Sequence, residues 1–545
     1  MTTTPDPSPG RGLVAAPQSE AAYEAARVLS DGGNAADAVV TGAFVQGVVD
    51  PHRCGVGGFG CATLCFQRQD GPEALAIDFH GRAGSRSRPD QWTETFEAPT
   101  PDGFGYVVRD KVNDVGYLSI TVPGMVAGVA EIHRRFGSLP WKELVRRAIP
   151  YADGGFVVTP ELAEFWRRPG LHGRVSTGDR LTSSEEGRKI CLRDDGSMYQ
   201  AGEIFRQPLL ASTYRRIADE GPESFYRGDL AREISADWHD NGALVTAEDL
   251  AAYQPQVHQP LRGSYRGREI LTTPLPGGGV ALLQALRMLE SEPLGTLGHN
   301  SVETMHRMGR ILQAVWQDRL TYQGDPAFGT PADEEFLTPA YLAALATRGA
   351  EGPPVNPESQ DTTQLTALDG WGNFISFSHS LGYNSGVFAR GLGVLYNNCM
   401  SAFDPRPGKR NSIAPGKARS TAVAETLLLE DGRPWAAMGS PGAARITAGL
   451  VQVIVNMVDF GMSAAEAVVE PRFDAYGPGT LLVESRIPRP VVSDLDGRGW
   501  NVIQSPKAFG VVGRVYAVET DTIPPRRPVA GVDPGAPGAA FRQDQ

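Results

Sequence analysis

The sequence predicts an α+β protein, and two observations carry that reading. Residues 120–360 look mainly helical with irregular stretches, whereas from Asp361 onward strand-like runs separated by turn residues dominate. Helices and strands therefore gather in different parts of the chain.

Composition sets the outer bounds. With 545 residues, 41% hydrophobic and 21% charged, the chain can bury a large core and reads as soluble and globular. A net charge of −12 without a Lys/Arg-rich run argues against nucleic acid or an anionic membrane as a partner. Isolated arginines can still serve an anionic small molecule. The five cysteines, Cys54, Cys61, Cys65, Cys191 and Cys399, fit neither a disulfide framework nor a zinc site. They read as buried thiols, and no metal or cofactor is implied. Met1–Gly10 has no basic or apolar signal region, and no apolar run reaches membrane-spanning length, so a cytoplasmic location is expected.

Taken in order, residues 1–12 read as a flexible tail. An Ala-rich helix starts near Ser19 and stops at Gly32-Gly33, where glycine suits a helix C-terminus. Asn34 suits the N-cap of a second helix reaching about Val49. Cys54–Gly60 puts its glycines before a strand, the reverse of dinucleotide-binding order, so they read as close backbone packing near a pocket. Helices are expected at Val126–Arg135, Trp141–Gly154 and Val302–Tyr322. Thr362–Leu368 and Phe374–Leu381 form a hairpin across residues 369–373. A strand at Gly393–Asn398 and a second hairpin, Val423–Leu429 with Pro434–Met438, follow. A helix is expected from Pro441 to about Phe460, and the Pro/Gly-rich end from about Pro524 reads as loose.

The first hairpin places chemistry. If Leu368 opposes Phe374, then Thr362 faces Ser380 at the open end. Alone, that is an ordinary cross-strand hydroxyl pair. The turn Gly439-Ser440-Pro441-Gly442-Ala443-Ala444-Arg445 then opens an apolar helix, with Pro441 in its first turn. The amides of Gly442 and Ala443 point along the helix axis and can hold an anion or an oxyanion. A hydroxyl nucleophile, a hydroxyl partner and an amide pair together fit an acyl-transfer site.

Six collinear motifs resemble the γ-glutamyltranspeptidase family, covering about Leu13 to Val518. They are Gly32–Ala38, Gly55–Phe59, Thr121–Gly124, Asp361-Thr362-Thr363, Leu395–Asn398 and Gly439–Arg445. The resemblance implies a four-layer αββα N-terminal-nucleophile hydrolase sandwich. It implies a precursor cut between Asp361 and Thr362, giving a large fragment 1–361 and a small fragment 362–545 that form one αββα unit. Cleavage would free the Thr362 amino group, whose ordinary pKa of ~7.7–8.0 suits a general base. Thr362 would be nucleophile and base, Ser380 its hydroxyl partner, and Gly442 and Ala443 the oxyanion amides.

The glutamyl clamp of the family is not matched. His80 stands for the arginine that binds the α-carboxylate, Gly382 for an asparagine, and Cys399 and Ala402 for groups that receive the α-ammonium. Thr421-Ala422 replaces a serine pair, and Gln364 a histidine. Loss of the arginine and the acid together is worth several kcal/mol to a glutamyl substrate, a factor of ~10³ or more. His80, Arg82, Arg410, Lys417, Arg419 and Arg445 remain as cations, two at most acting as ligands. The substrate residues expected are His80, Cys399, Thr421, Arg419 and Thr363.

The leading expectation is a self-processing hydrolase of a non-glutamyl, carboxylate-bearing metabolite. The pattern is similar to relatives in actinobacterial antibiotic pathways, some associated with C–C cleavage beside a carbonyl in 4-alkylproline-type precursors. Ordinary γ-glutamyl hydrolysis or transfer with a rearranged clamp is the alternative. A matured, inactive scaffold is the alternative from another class.

Overall fold

Alternation along the strands dictates a layered architecture. In Thr362–Leu368, Leu365 and Ala367 point to one core, while Leu368 joins another that it shares with Leu427, Ala437 and Val518. A strand apolar on both faces needs a layer on each side. The computed structural model describes residues 12–101, 103, 105–170, 173–348, 362–475, 477–520 and 528–542.

Two antiparallel sheets stack face to face. The first runs Ala539–Arg542, Leu13–Ala16, Thr362–Leu368, Phe374–Ser380, Phe59–Phe66, Glu73–Phe79 and Gln256–His258. The second runs Pro528–Val532, Tyr516–Thr520, Arg433–Gly439, Thr426–Glu430, Arg268–Thr272 and Leu261–Tyr265. Helices Ser19–Ser30, Ala35–Val49 and Met125–Phe136 cover the outer face of the first. Helices Gly279–Leu289, Val302–Tyr322 and Ile446–Asp459 cover that of the second. This is the αββα sandwich, and segments on both sides of residue 361 contribute strands to both sheets.

The elements nearest the site follow their sequence signals. Asn34 caps the Ala35–Val49 helix through a capping box with Asp37. The first hairpin has the expected register, with Leu368 opposite Phe374 and Thr362 opposite Ser380. The glycine run serves close packing. A Cβ at Gly58 would lie 2.5 Å from Ser380 O, and one at Gly57 2.2 Å from Leu395 O. Asn397 ties three motifs together: its Oδ1 accepts from Thr121 N and Oγ1, and its Nδ2 donates to Gly57 O.

Several expectations are corrected. Gly393–Asn398 is not a strand. It makes bridges at Leu395 and Tyr396 only, because Gly393 turns the chain at φ +68° and Asn397 and Asn398 bond other loops. Trp141–Gly154 is two helices, Trp141–Arg146 and Ile149–Asp153, parted just before Pro150, which has no N–H to give. The end of the chain, expected to be loose, contains two strands, Pro528–Val532 and Ala539–Arg542. The helix after Pro441 starts at Ile446, behind a 3₁₀ turn at Ala443–Arg445. No helix among the described residues is long and apolar enough to cross a membrane. Residues 1–11 and Asp361 lie outside the described residues.

Candidate active site

Thr362 begins its strand at the edge of a cavity. The lining includes Ser380, Gly382, Cys399, Arg419, Thr421 and Ala443, all singled out from sequence apart from the role of Gly382 as a bare replacement. Thr362 Oγ1 is 3.5 Å from Ser380 Oγ, the outer limit of a hydrogen bond. Ser380 Oγ accepts from Gly382 N–H at 2.9 Å, which orients the hydroxyl. Gly382 has φ +67°, and a Cβ there would lie 2.6 Å from Asn398 Oδ1. The Asn398 amide is itself fixed, accepting from Tyr383 N and donating to Asp114.

The turn beyond Gly439 reaches the same cavity, by a geometry different from the one expected. Gly442 has φ +147° and Ala443 φ +48°, so neither has the right-handed backbone of an α-helix and Pro441 does not open one. A non-glycine residue in the left-handed region costs about 1–2 kcal/mol and is kept where its surroundings impose it. Here Arg514 N–H holds Pro441 O at 3.1 Å and Arg445 N–H holds Gly442 O at 2.9 Å. Among the described residues, the amides of Gly442 and Ala443 donate to nothing. Ala443 lines the cavity and Gly442 precedes it. Two unengaged amides on a fixed turn beside a hydroxyl pair can stabilise an oxyanion.

Behind the strand, a buried network joins Thr362–Leu368 to the turn. Gln364 Nε2 donates to Glu425 Oε2 at 2.8 Å and to Ser376 Oγ at 3.0 Å, and Gln364 Oε1 accepts from Ser378 Oγ at 2.6 Å. Ser376 Oγ also donates to Met438 O. Gln364 packs on Gly439, where a Cβ would sit 2.3 Å from Nε2. Burial pushes the Glu425 carboxyl up to about 7 against these hydrogen bonds.

Two expected substrate residues are not at the cavity. His80 is buried behind it among Phe59, Asp78 and Arg419. Burial, aided by Arg419 and Arg82, brings its pKa down to about 4 despite Asp78, so near neutral pH it is uncharged and no substitute for an arginine. Thr363 points to the opposite face of the sheet, as strand alternation requires. It donates to Gln18 Oε1 at 3.0 Å and accepts from Gln46 Nε2 at 3.1 Å. Cys399 lines the cavity as a neutral thiol, its pKa raised by burial. Tyr383, Ser401, Val423 and Ile446 also line it and were not singled out. Tyr383 and Ser401 lie beside residues that were, whereas Val423 and Ile446 carry no chemical signal.

The γ-glutamyltranspeptidase model matches residues 21–542. The chain belongs to the γ-glutamyltranspeptidase family. This family member is 34% identical over 518 residues to an acylase ACY 1 proenzyme of Pseudomonas sp. strain SE83, covering 92% of this chain and 89% of the relative. It is 33% identical over 528 residues to a glutathione hydrolase proenzyme of Pseudomonas aeruginosa, covering 90% and 89%. Cephalosporin acylase from Bacillus halodurans superposes with a TM-score of 0.86 at 27% identity, covering 100% of this chain and 99% of that structure. The γ-glutamyltranspeptidase-family chain is thus an N-terminal-nucleophile hydrolase with the αββα fold.

Proposed function

We propose that this chain is a self-processing N-terminal-threonine acylase that removes an anionic, non-glutamyl acyl group from an amine. The precursor cuts itself between Asp361 and Thr362. The freed Thr362 amino group takes the proton from Thr362 Oγ1 as the hydroxyl attacks the amide carbonyl, and Ser380 aligns that hydroxyl. The amides of Gly442 and Ala443 hold the oxyanion. Collapse expels the amine, and water releases the acyl group.

The observation that carries the choice of acyl group is the charge of the cavity. Among the described residues its lining holds one cation, Arg419, and no Asp or Glu. A γ-glutamyl chain brings an α-ammonium that needs an acid, whereas a dicarboxylic acyl chain such as glutaryl needs only the cation. Arg319 lies within electrostatic reach of Arg419; burial first, and then that like charge, bring its pKa down to about 9. A carboxylate in the cavity relieves this repulsion. The acylase names of two relatives support the same reading.

Glutaryl-4-nitroanilide and γ-glutamyl-4-nitroanilide differ only in the α-ammonium. The expected kcat/KM ratio favours glutaryl by ~10- to 10²-fold, one charge-assisted hydrogen bond with its desolvation cost being worth ~1.5–3 kcal/mol. A ratio favouring γ-glutamyl would overturn the proposal.

A further inference from the structure

The buried network beside the Gly439–Arg445 turn is short of protons. Ser376 Oγ has three polar neighbours: Gln364 Nε2 at 3.0 Å, Met438 O at 2.8 Å and Glu425 Oε2 in close contact. A hydroxyl carries one proton, Gln364 Nε2 only donates and Met438 O only accepts. If the Ser376 proton goes to Met438 O, the contact with Glu425 is a hydrogen bond only when Glu425 supplies the proton as a carboxylic acid. If Glu425 is ionised, the Ser376 proton turns to the carboxylate, because a charge-assisted bond outweighs a neutral one, and Met438 O loses this donor. Met438 is the last residue but one of Arg433–Gly439, the strand that runs into the turn.

Glu425 decides between these states with little interference. Gln364 faces its carboxyl from Thr362–Leu368, and Ser376 and Ser378 face it from Phe374–Ser380. Thr273 Oγ1 accepts from Glu425 N–H at 2.9 Å, and Cys61 of Phe59–Phe66 adjoins Thr273. Of these groups only Cys61 titrates. Burial first, then Glu425 and Asp78, raise its thiol well above the ordinary range, so it stays neutral. Among the described residues no cation faces Glu425, and burial lifts its carboxyl to about 7.

We infer that Ser376 and Glu425 are positioning residues for the turn that carries the oxyanion amides: protonated Glu425 donates to Ser376 and Ser376 to Met438 O, which holds the strand end, whereas ionised Glu425 draws the Ser376 proton to itself and releases Met438 O. The proton lost on ionisation goes to water, and no covalent bond changes. The consequence for catalysis rests on the reading of Gly442 and Ala443 as oxyanion amides. Turnover should fall as Glu425 ionises, against the rise that deprotonation of the Thr362 amino group brings.

Matured wild type, Ser376→Ala and Ser376→Thr are compared on glutaryl- and γ-glutamyl-4-nitroanilide. The ratio of wild-type to Ser376→Ala kcat cancels the titration of the Thr362 amino group. It should be roughly tenfold below about pH 6 and approach unity above about pH 8, with KM little changed. Ser376→Thr keeps the hydroxyl and should restore the pH dependence. Hydrogen exchange reads the same switch without substrate. In wild type the amides of residues 435–440, corrected for the intrinsic effect of pH, should lose protection roughly tenfold between about pH 6 and about pH 8, and in Ser376→Ala they should not respond. Protection in wild type that does not change over this range overturns the inference, whatever the kinetics, as does the same response in Ser376→Ala. A response in wild type alone, with a kcat ratio that stays flat, upholds the positioning and places the failure in the oxyanion reading. If wild type turns over neither substrate, exchange alone decides.

Discussion

Glu425→Gln offers a quantitative test of the network that joins the Thr362–Leu368 strand to the Gly439–Arg445 turn. Burial raises the Glu425 carboxyl from its ordinary 4.5 to about 7, so the folded protein holds a proton that the unfolded chain gives up at lower pH. Stability linked to this group is fully present below pH 4.5 and is lost as pH rises to about 7. At roughly 1.36 kcal/mol per pH unit, the loss approaches 3 kcal/mol. Glutamine keeps the acceptor for Gln364 Nε2 but cannot ionise. It places an amide where Glu425 Oε1 has no partner among the described residues, a cost of about 1 kcal/mol at any pH. The variant should therefore be slightly less stable than wild type at pH 4.5 and about 2 kcal/mol more stable at pH 8. Urea unfolding across that range, with both proteins in the Thr362→Ala background so that one uncut chain unfolds, measures the difference. A difference that does not change with pH would show that Glu425 stays ionised, and the buried network would need redrawing.

Further outcomes follow from the same geometry. Gly442→Ala would push a Cβ to 2.9 Å from Gly513 Cα and displace the turn. Loss of one oxyanion donor should lower kcat by ~10²–10³ with a smaller change in KM. Ala443→Gly relieves the left-handed conformation at φ +48° and should raise unfolding stability by about 1 kcal/mol, measured by denaturant titration. Ala402 also lines the first cavity, so Ala402→Asp places an acid on its wall and should move the glutaryl to γ-glutamyl preference at least ~10-fold toward γ-glutamyl, read as the ratio of kcat/KM values.

Much of this architecture was legible because local signals and tertiary structure agree. The Asn34 cap, the turn at 369–373 and the alternation of Thr362–Leu368 each specify one geometry, and the Thr362–Ser380 pairing follows from counting. The helix start at Pro441 was misread because proline and small residues suit a first turn, whereas close contact of Gly442 with Gly513 imposes positive φ on the turn. That contact is long-range and leaves no local trace. A proline at position 443 is excluded, because proline cannot adopt φ +48°. Thr363, expected among the substrate residues, is sent by strand alternation to the face opposite Thr362.

The central claim is that Thr362 becomes both the N-terminus and the nucleophile. Intact-mass and N-terminal analysis of purified protein, before and after an acid-quenched reaction with glutaryl-4-nitroanilide, tests it most directly. The account predicts two fragments, the smaller beginning at Thr362 and carrying one glutaryl group on that residue after the quench, with Thr362→Ala uncut and unlabelled. An intact wild-type chain that turns over substrate, or a label on any residue other than Thr362, would contradict it.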